Sequence, residues 1–171
     1  MMRDERYPIG KFQCPEEILE KHVTGWIEDI RLLPRQLEEV LSGISEQSLG
    51  KTYRENSWTV SQLVHHIADS HMNSYIRFKL ALTEDEPTIK PYNEVEWAKL
   101  LDSEKPIVAS LKIIEGLHEG WVYLLKGLTS EQLQRAFKHP DTGLVSLERA
   151  VGLYAWHGKH HLAHIQNALV K

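Results

Sequence analysis

The stretch Trp156-His157-Gly158-Lys159-His160-His161-Leu162-Ala163-His164-Ile165 contains four of the ten histidines of the chain. At about 100° per residue of an α-helix, these four imidazoles fall within an arc of roughly 100°. The same arc carries Ala150, Leu153 and Ala168, so the histidines continue an apolar stripe that faces a protein core. Burying four imidazoles is costly unless they bind something, and neutral imidazoles one turn apart can share a transition-metal ion. The stretch therefore predicts a metal site on the inner face of a long helix.

The composition bounds the class of protein. The 171 residues fit one domain spanning 1–171, with a net charge of −4 and both signs interspersed. Such a pattern offers no basic surface for nucleic acid and no polybasic patch for a membrane. No apolar segment approaches the length of a membrane-spanning helix, and the polar start Met1–Arg6 is unlike a signal peptide. Cys14 is the single cysteine, which excludes an internal disulfide. We therefore expect a cytoplasmic protein.

A second long helix is predicted from the segment Trp58-Thr59-Val60-Ser61-Gln62. Thr59 is a suitable N-cap residue, and Gln62 three residues later completes a capping box. The helix is expected to run to about Thr83, where an acidic, proline-containing segment follows.

The inner face of this second helix is predicted to carry one histidine. Leu63, Ile67 and Phe78 mark its apolar arc, and His66 lies on that arc. His65 points roughly 160° away from Leu63, on the opposite side of the helix. His66 is therefore the candidate metal ligand of this helix.

Three further polar residues share the arc of His66. Ser70, Asn73 and Arg77 follow at successive turns and are candidates for binding a substrate. A buried guanidinium requires an anion, so Arg77 is expected either to bind a carboxylate of a neighbouring helix or to bind an anionic group of the substrate. The sequence leaves both interpretations open.

The remaining elements complete four long helices. A first helix is predicted to start at Pro15 and to be kinked or interrupted at Pro34, and a third starts at Pro106. The long connection 84–104 is typical of a crossover or a lid over a site. His118 has no partner at ligand spacing and is interpreted as an ordinary histidine.

A weak internal repeat indicates how the helices are arranged. The segment Leu41-Ser42-Gly43-Ile44-Ser45-Glu46-Gln47-Ser48-Leu49 resembles Leu125-Lys126-Gly127-Leu128-Thr129-Ser130-Glu131-Gln132-Leu133. Each copy follows one long helix and precedes another. The predicted fold is an all-α four-helix bundle with a long crossover connection and the metal between the second and fourth long helices.

The spacing on the last helix allows two ligand pairs. Either His157 with His161 or His160 with His164 presents imidazoles from adjacent turns. Together with His66, either pair supplies three nitrogen ligands and leaves coordination positions open, as catalytic sites do. The spacing does not distinguish the pairs.

The motifs are similar to those of a known family. Trp58-Thr59-Val60-x-Gln62-x-x-x-His66 and Trp156-His157-x-x-x-His161-x-x-His164-Ile165 resemble the DinB/YfiT-like superfamily of metal-binding four-helix bundles. The similarity extends over the stretches 65–79, 90–92 and 137–141, and so covers nearly the whole chain. It implies a bundle with a crossed connection, commonly assembled as a homodimer.

The resemblance also implies site residues. The family's ligand on the second helix lies eight residues after the tryptophan, which is His66, and the last helix supplies H-x-x-x-H, which maps onto His157 and His161. Many members carry glutamine at the position of His164, so His164 is expected to contact a ligand rather than the metal.

The function implied by the resemblance is a metal-dependent hydrolase of unknown small-molecule substrate, with one zinc or nickel ion per chain. Two alternatives remain, a low-molecular-weight thiol (bacillithiol) S-transferase and a non-catalytic binding protein that a metal stabilises. An open tris-imidazole cation can lower the pKa of bound water or of a bound thiol. No carboxylate faces inward beside His66, since Asp69 lies roughly 60° off the arc. The catalytic residues are therefore unknown, and a missing base slightly favours thiolate chemistry.

Overall fold

The computed structural model describes residues 4–171 and consists mainly of four long helices. They are α1 (Glu20–Leu41), α3 (Val60–Thr83), α5 (Val108–Lys126) and α7 (Leu147–Leu169). Short elements lie between them: α2 (Glu46–Leu49), α4 (Glu94–Trp97), a 3₁₀ turn (Leu101–Glu104), α6 (Ser130–Gln134), β1 (Ala136–His139) and β2 (Gly143–Ser146). None of the helices in this part of the chain is both long and apolar enough to cross a membrane. The predicted all-α four-helix bundle is confirmed.

The order of the helices around the bundle differs from a simple up-and-down arrangement. Helix α1 packs against α5 and α7, and α3 packs against the same two helices. Helices α1 and α3 therefore lie on one diagonal, and α5 and α7 lie on the other. The connection from α1 to α3 and the connection from α5 to α7 each cross an end of the bundle diagonally. This is the crossed topology that the resemblance implies. This arrangement makes α3 and α7 neighbours.

Capping residues set the beginnings of the two helices that carry the candidate ligands. Thr59 Oγ1 accepts a hydrogen bond from the Gln62 amide at 3.2 Å, and Gln62 Oε1 accepts one from the Thr59 amide at 3.1 Å. This confirms the predicted capping box. Ser146 Oγ accepts from the Arg149 amide at the start of α7. Because both starts are fixed, each histidine has a defined depth in the bundle.

The predicted repeat is present as two similar connections. Ser45 caps the one-turn helix α2, and Thr129 caps the equivalent α6. After each turn the chain doubles back on itself, through an isolated bridge between Thr52 and Thr59 in the first copy and through the β1–β2 hairpin in the second. The hairpin itself was not predicted, because its four-residue strands are too short to show an alternating pattern.

The first helix departs from the prediction at two places. It begins at Glu20 rather than at Pro15, and it continues through Pro34 without interruption. A proline inside a helix leaves the carbonyl four residues earlier without its usual amide donor. That carbonyl belongs to Ile30, and the side chain of His118 on α5 occupies it, with Nδ1 at 2.6 Å from the Ile30 oxygen. A donor from a neighbouring helix thus replaces the missing bond.

Candidate metal centre

Three histidines from two neighbouring helices converge inside the bundle. His66 comes from α3, and His157 and His161 come from adjacent turns of α7. One ring nitrogen of each lies within 4.8 Å of the others, and the Nε2 atoms of His66 and His157 are 3.2 Å apart. Two imidazole nitrogens held by a tetrahedral ion at roughly 2.1 Å would be about 3.4 Å apart. The three side chains therefore have the donor type and the spacing that a transition-metal ion requires.

A second group of three overlaps this one. Ring nitrogens of His160, His161 and His164 also lie within 4.8 Å of one another. His164 Nδ1 is 3.4 Å from His161 Nδ1, so His164 contacts one of the candidate ligands. All three members of this second group belong to α7, whereas the first group joins α7 to α3. Only the first group can bridge two helices through an ion.

Burial keeps the candidate ligands neutral. It lowers the pKa of the His66 imidazole to about 4, and it lowers the pKa values of His157 and His161 well below the usual range, with neighbouring imidazoles contributing in the same direction. A metal ion binds the unprotonated nitrogen. At neutral pH these three side chains would therefore bind an ion without first releasing a proton.

Two further histidines extend the site away from the ligands, and the sequence interpretation missed both. His71 Nε2 is 3.0 Å from His157 Nδ1, and His71 Nδ1 is 2.8 Å from His118 Nε2. Both side chains are almost fully buried. The interpretation of His118 as an ordinary histidine is therefore wrong. Its contact with His71 depends on the position of α5, which the residue spacing on α3 and α7 does not reveal. The one available signal was Pro34, which leaves a carbonyl in α1 that requires a donor.

His65 is buried, although it points away from the three candidate ligands as predicted. Its Nδ1 is 2.8 Å from Ser110 Oγ of α5, and its Nε2 is 3.0 Å from the Lys105 carbonyl oxygen. His65 thus binds α3 to the start of α5, and the sequence placed it on an outer face because it considered one helix alone.

The polar residues predicted on the arc of His66, here called the polar stripe, are Ser70, Asn73 and Arg77. They do not include a buried ion pair. Ser70 is buried, whereas Asn73 and Arg77 are half-buried. Asn73 Nδ2 donates to the Asp69 carbonyl oxygen of its own helix at 2.8 Å. Arg77 forms no salt bridge with any residue of the described range 4–171. The interpretation of Arg77 as one half of a structural salt bridge is therefore wrong.

The carboxyl group of Asp69 has a raised pKa that its position on the helix did not predict. It lies one helical turn beyond His66, at a spacing that places the two β-carbons about 5–6 Å apart. Burial, followed by repulsion from the Asp102 carboxylate, raises the pKa of the Asp69 carboxyl to about 6. A carboxyl that titrates near neutrality can take up or release a proton at working pH. Asp69 is thus a candidate general base, although its angular offset from His66 did not predict one.

A large groove lies away from the three candidate ligands. A groove of about 1010 Å³ separates α1 from α5, and His118 is the one histidine that lines it. None of the three candidate ligands lines this groove. The candidate metal site is therefore identified by the position of the histidines and not by the size of a groove.

Proteins of similar sequence carry names that refer to a metal. A protein of Halalkalibacterium halodurans, named "Putative metal-dependent hydrolase", is 56% identical over 168 residues, which are 98% of each chain. A protein of Bacillus cereus with the same name is 53% identical over 164 residues, covering 96% of this chain and 95% of that one.

A solved structure and a family model agree with these relatives. YfiT from Bacillus subtilis, described as "a probable metal-dependent hydrolase with an unusual four-helix bundle topology", superposes with a TM-score of 0.92 at 45% identity, covering 95% of this chain and 94% of that one. The model of the DinB superfamily matches residues 29–165, a range that includes every candidate ligand. This chain belongs to the DinB superfamily.

Proposed function

We propose that the protein is a metal-dependent hydrolase of a small molecule, with His66, His157 and His161 as the ligands of one divalent ion. The observation that carries the proposal is the convergence of three neutral imidazoles from two helices. When bound there, a divalent ion with three protein ligands retains a position for water and lowers the pKa of that water towards neutrality. The all-nitrogen donor set suits zinc or nickel.

The residues around the ligands suggest how the chain would assist hydrolysis. Asp69, with its raised pKa, would accept a proton from the attacking water and later return it to the leaving group. Ser70 and Asn73 would supply neutral hydrogen bonds. Arg77 has no ion pair in the described range 4–171, and would bind a carboxylate or phosphate of the substrate at the far end of the stripe.

The number of ligands supports catalysis over a purely structural role. A structural zinc site is normally closed by a fourth protein ligand. The histidine group that joins α3 to α7 has three members, and His164 approaches His161 rather than forming a fourth member of that group. A site of this kind leaves room for water or substrate.

The test combines metal analysis with activity. Protein purified without added metal is analysed for zinc and nickel, and then screened against ester, amide and phosphoester substrates, with and without bacillithiol. We expect one ion per chain and hydrolysis that disappears in His66→Ala but persists in His65→Ala. Turnover that requires bacillithiol would replace hydrolysis by thiol transfer, and one bound ion without any turnover would favour a metal-stabilised binding protein.

The assembly and the location belong to the same proposal. We propose a homodimer, because homodimers are common in the DinB superfamily, and a cytoplasmic location, which the composition favours. Light scattering on the purified chain tests this, and a monomer at micromolar concentration would contradict it.

A further inference from the structure

Four hydrogen bonds and contacts form a continuous path from α1 to the candidate metal ligands. The Ile30 carbonyl, His118, His71 and His157 follow one another at 2.6, 2.8 and 3.0 Å. The path ends where His157 Nε2 faces His66 Nε2 at 3.2 Å. It crosses all four long helices, since these residues belong to α1, α5, α3 and α7 in turn.

The positions of the ring hydrogens along this path follow from its first member. A carbonyl oxygen can only accept, so the hydrogen of the first bond must be on His118 Nδ1. A neutral imidazole carries one ring hydrogen, which leaves His118 Nε2 as an acceptor. His71 Nδ1 must then be the donor to it. By the same step, His71 Nε2 accepts from His157 Nδ1.

All three imidazoles on the path are neutral at physiological pH. His71 and His118 are almost fully buried, and removal from water disfavours the charged imidazolium form. Each pair of facing nitrogens therefore has one hydrogen between them. Once the hydrogen on His118 Nδ1 is placed, the positions of all the others along the path are determined.

We propose that His71 and His118 are positioning residues that hold His157 as its Nδ1–H tautomer, so that its Nε2 lone pair is directed at His66 and His161. This inference rests on the proposed metal site, but it concerns the chain itself and holds whether or not an ion is bound. Outer hydrogen bonds of this kind fix the tautomer and the ring orientation of a metal-binding histidine. In most such sites a carboxylate or a carbonyl accepts the hydrogen bond from the metal-binding histidine directly. Here His71 accepts it, and His71 is itself held by His118, which donates to the Ile30 carbonyl.

Pro34 explains why the path begins at Ile30. An ordinary residue at position 34 would donate its own amide hydrogen to the Ile30 carbonyl, whereas proline has none. The acceptor is therefore left for His118, and the tautomer of His157 is set by a residue of α1 that lies outside the site.

The direct test is a spectrum that distinguishes the two ring nitrogens. Long-range ¹H–¹⁵N correlation spectra of the full chain, labelled at its histidines, show which nitrogen carries the hydrogen. They are recorded at pH 7.5 in the zinc-loaded and metal-free forms, and signals are assigned by their loss in single variants. We expect Nδ1–H for His118, His71 and His157 in both forms. An Nε2–H tautomer at His71 or His157 would overturn the proposal.

A variant series tests the consequence for binding. His71→Leu removes the acceptor for His157 Nδ1–H and should weaken zinc binding by about 10–100-fold in competition with a chromophoric chelator. His71→Gln provides a side-chain oxygen at a similar place and should recover part of that loss. His65→Leu is the matched control, since His65 is buried on the same helix and also has two hydrogen-bond partners.

The outcomes separate this inference from the metal site itself. Equal loss of zinc affinity in His71→Leu and His65→Leu would show that His71 acts through stability alone, against the proposal. If the wild-type chain binds no zinc, the proposed function fails, while the tautomers in the metal-free spectrum still decide this inference. The wild-type spectra also decide it if His71→Leu does not fold.

Discussion

Gly158 of α7 lies against Leu33 of α1 so closely that a β-carbon at position 158 would come within 2.6 Å of Leu33 Cδ2. Leu33 is buried in the core beneath α7, so a shift of its branched end would disturb the side chains packed around it. The absence of a side chain at Gly158 therefore allows α7 to approach α1, while the adjacent His157 faces His66 and His71 of α3.

This contact predicts that Gly158→Ala is destabilising despite the better helix propensity of alanine. Overpacking of this kind should lower the free energy of unfolding by about 1–3 kcal/mol. Gly116→Ala is the control, because Gly116 is an exposed glycine of α5 whose β-carbon would meet nothing within 4 Å. It should stabilise by about 0.5–1 kcal/mol. Urea denaturation measures both, and a stabilised Gly158→Ala protein would contradict the packing.

The ligand assignment predicts a sharp contrast within the histidine cluster. His66→Ala, His157→Ala and His161→Ala should each lose most of the bound metal, because each removes one of three ligands. His65→Ala should keep it. Metal content is measured after dialysis, with circular dichroism as the control for folding. Full retention in His157→Ala would move the site to the group formed by His160, His161 and His164.

An ion that joins α3 to α7 should also raise the thermal stability of the protein. A ligand that binds the folded state at 100 times its Kd adds about 2.7 kcal/mol by mass action. Because only neutral imidazoles bind metal, the gain should fade once the pH is low enough to protonate them. Differential scanning calorimetry with zinc and with chelator measures the difference. Identical melting temperatures at pH 7.5 would contradict a bridging site.

The metal-free chain should lose stability in acid through its buried histidines. An unfolded imidazole has a pKa near 6.5, whereas burial holds the pKa values of His66 and His118 at about 4. Between these values the unfolded chain binds more protons, so the free energy of unfolding falls as pH decreases from about 6.5 to 4. Each group contributes up to about 3 kcal/mol. Asp69, whose pKa is raised to about 6, acts in the opposite direction and offsets part of the loss.

Urea denaturation at pH 7.5, 6, 5 and 4.5 in the presence of chelator measures this dependence. The matched variant is His118→Gln, which should be less stable at pH 7.5 but should show a shallower decline with acid. An equally steep decline in His118→Gln would indicate that His118 is not among the groups responsible.

Arg77 should affect substrate recognition more than folding. Arg77 has no salt bridge within the described range 4–171, so Arg77→Lys should leave metal content unchanged and stability within about 0.5 kcal/mol. Lysine keeps the charge but loses the bidentate fork that binds a carboxylate. The KM for esters that carry a carboxylate should therefore rise relative to that for neutral esters. A parallel change for both substrate classes would exclude Arg77 as an anion-binding residue.

The parts of the site that lie along one helix could be predicted from the sequence. The arcs that contain His66, His157 and His161 follow from helical periodicity, and the start of α3 follows from the capping box of Thr59 and Gln62. These features depend on residues close together in sequence, so local rules are sufficient to find them.

Features that depend on a second helix could not be predicted in the same way. The roles of His71 and His118 require the positions of α1, α3 and α5 together. Pro34 was expected to kink α1, but a donor from α5 compensates for its missing amide, and the helix continues. The burial of His65 was not predicted for the same reason, because its partners Ser110 and Lys105 are more than 35 residues away in sequence.

The division of the ligands between α3 and α7 has a consequence for refolding. His66 and His157 are 91 residues apart in the chain, so they meet only when the whole bundle has formed. By contrast, the four histidines of α7 lie within eight residues and remain close together in the unfolded chain. We therefore expect a metal ion present at the start of refolding to bind this local cluster before His66 arrives. Binding to the denatured state would reduce the stabilisation that the ion gives to the folded state, whereas an ion added after folding would encounter His66, His157 and His161 already assembled.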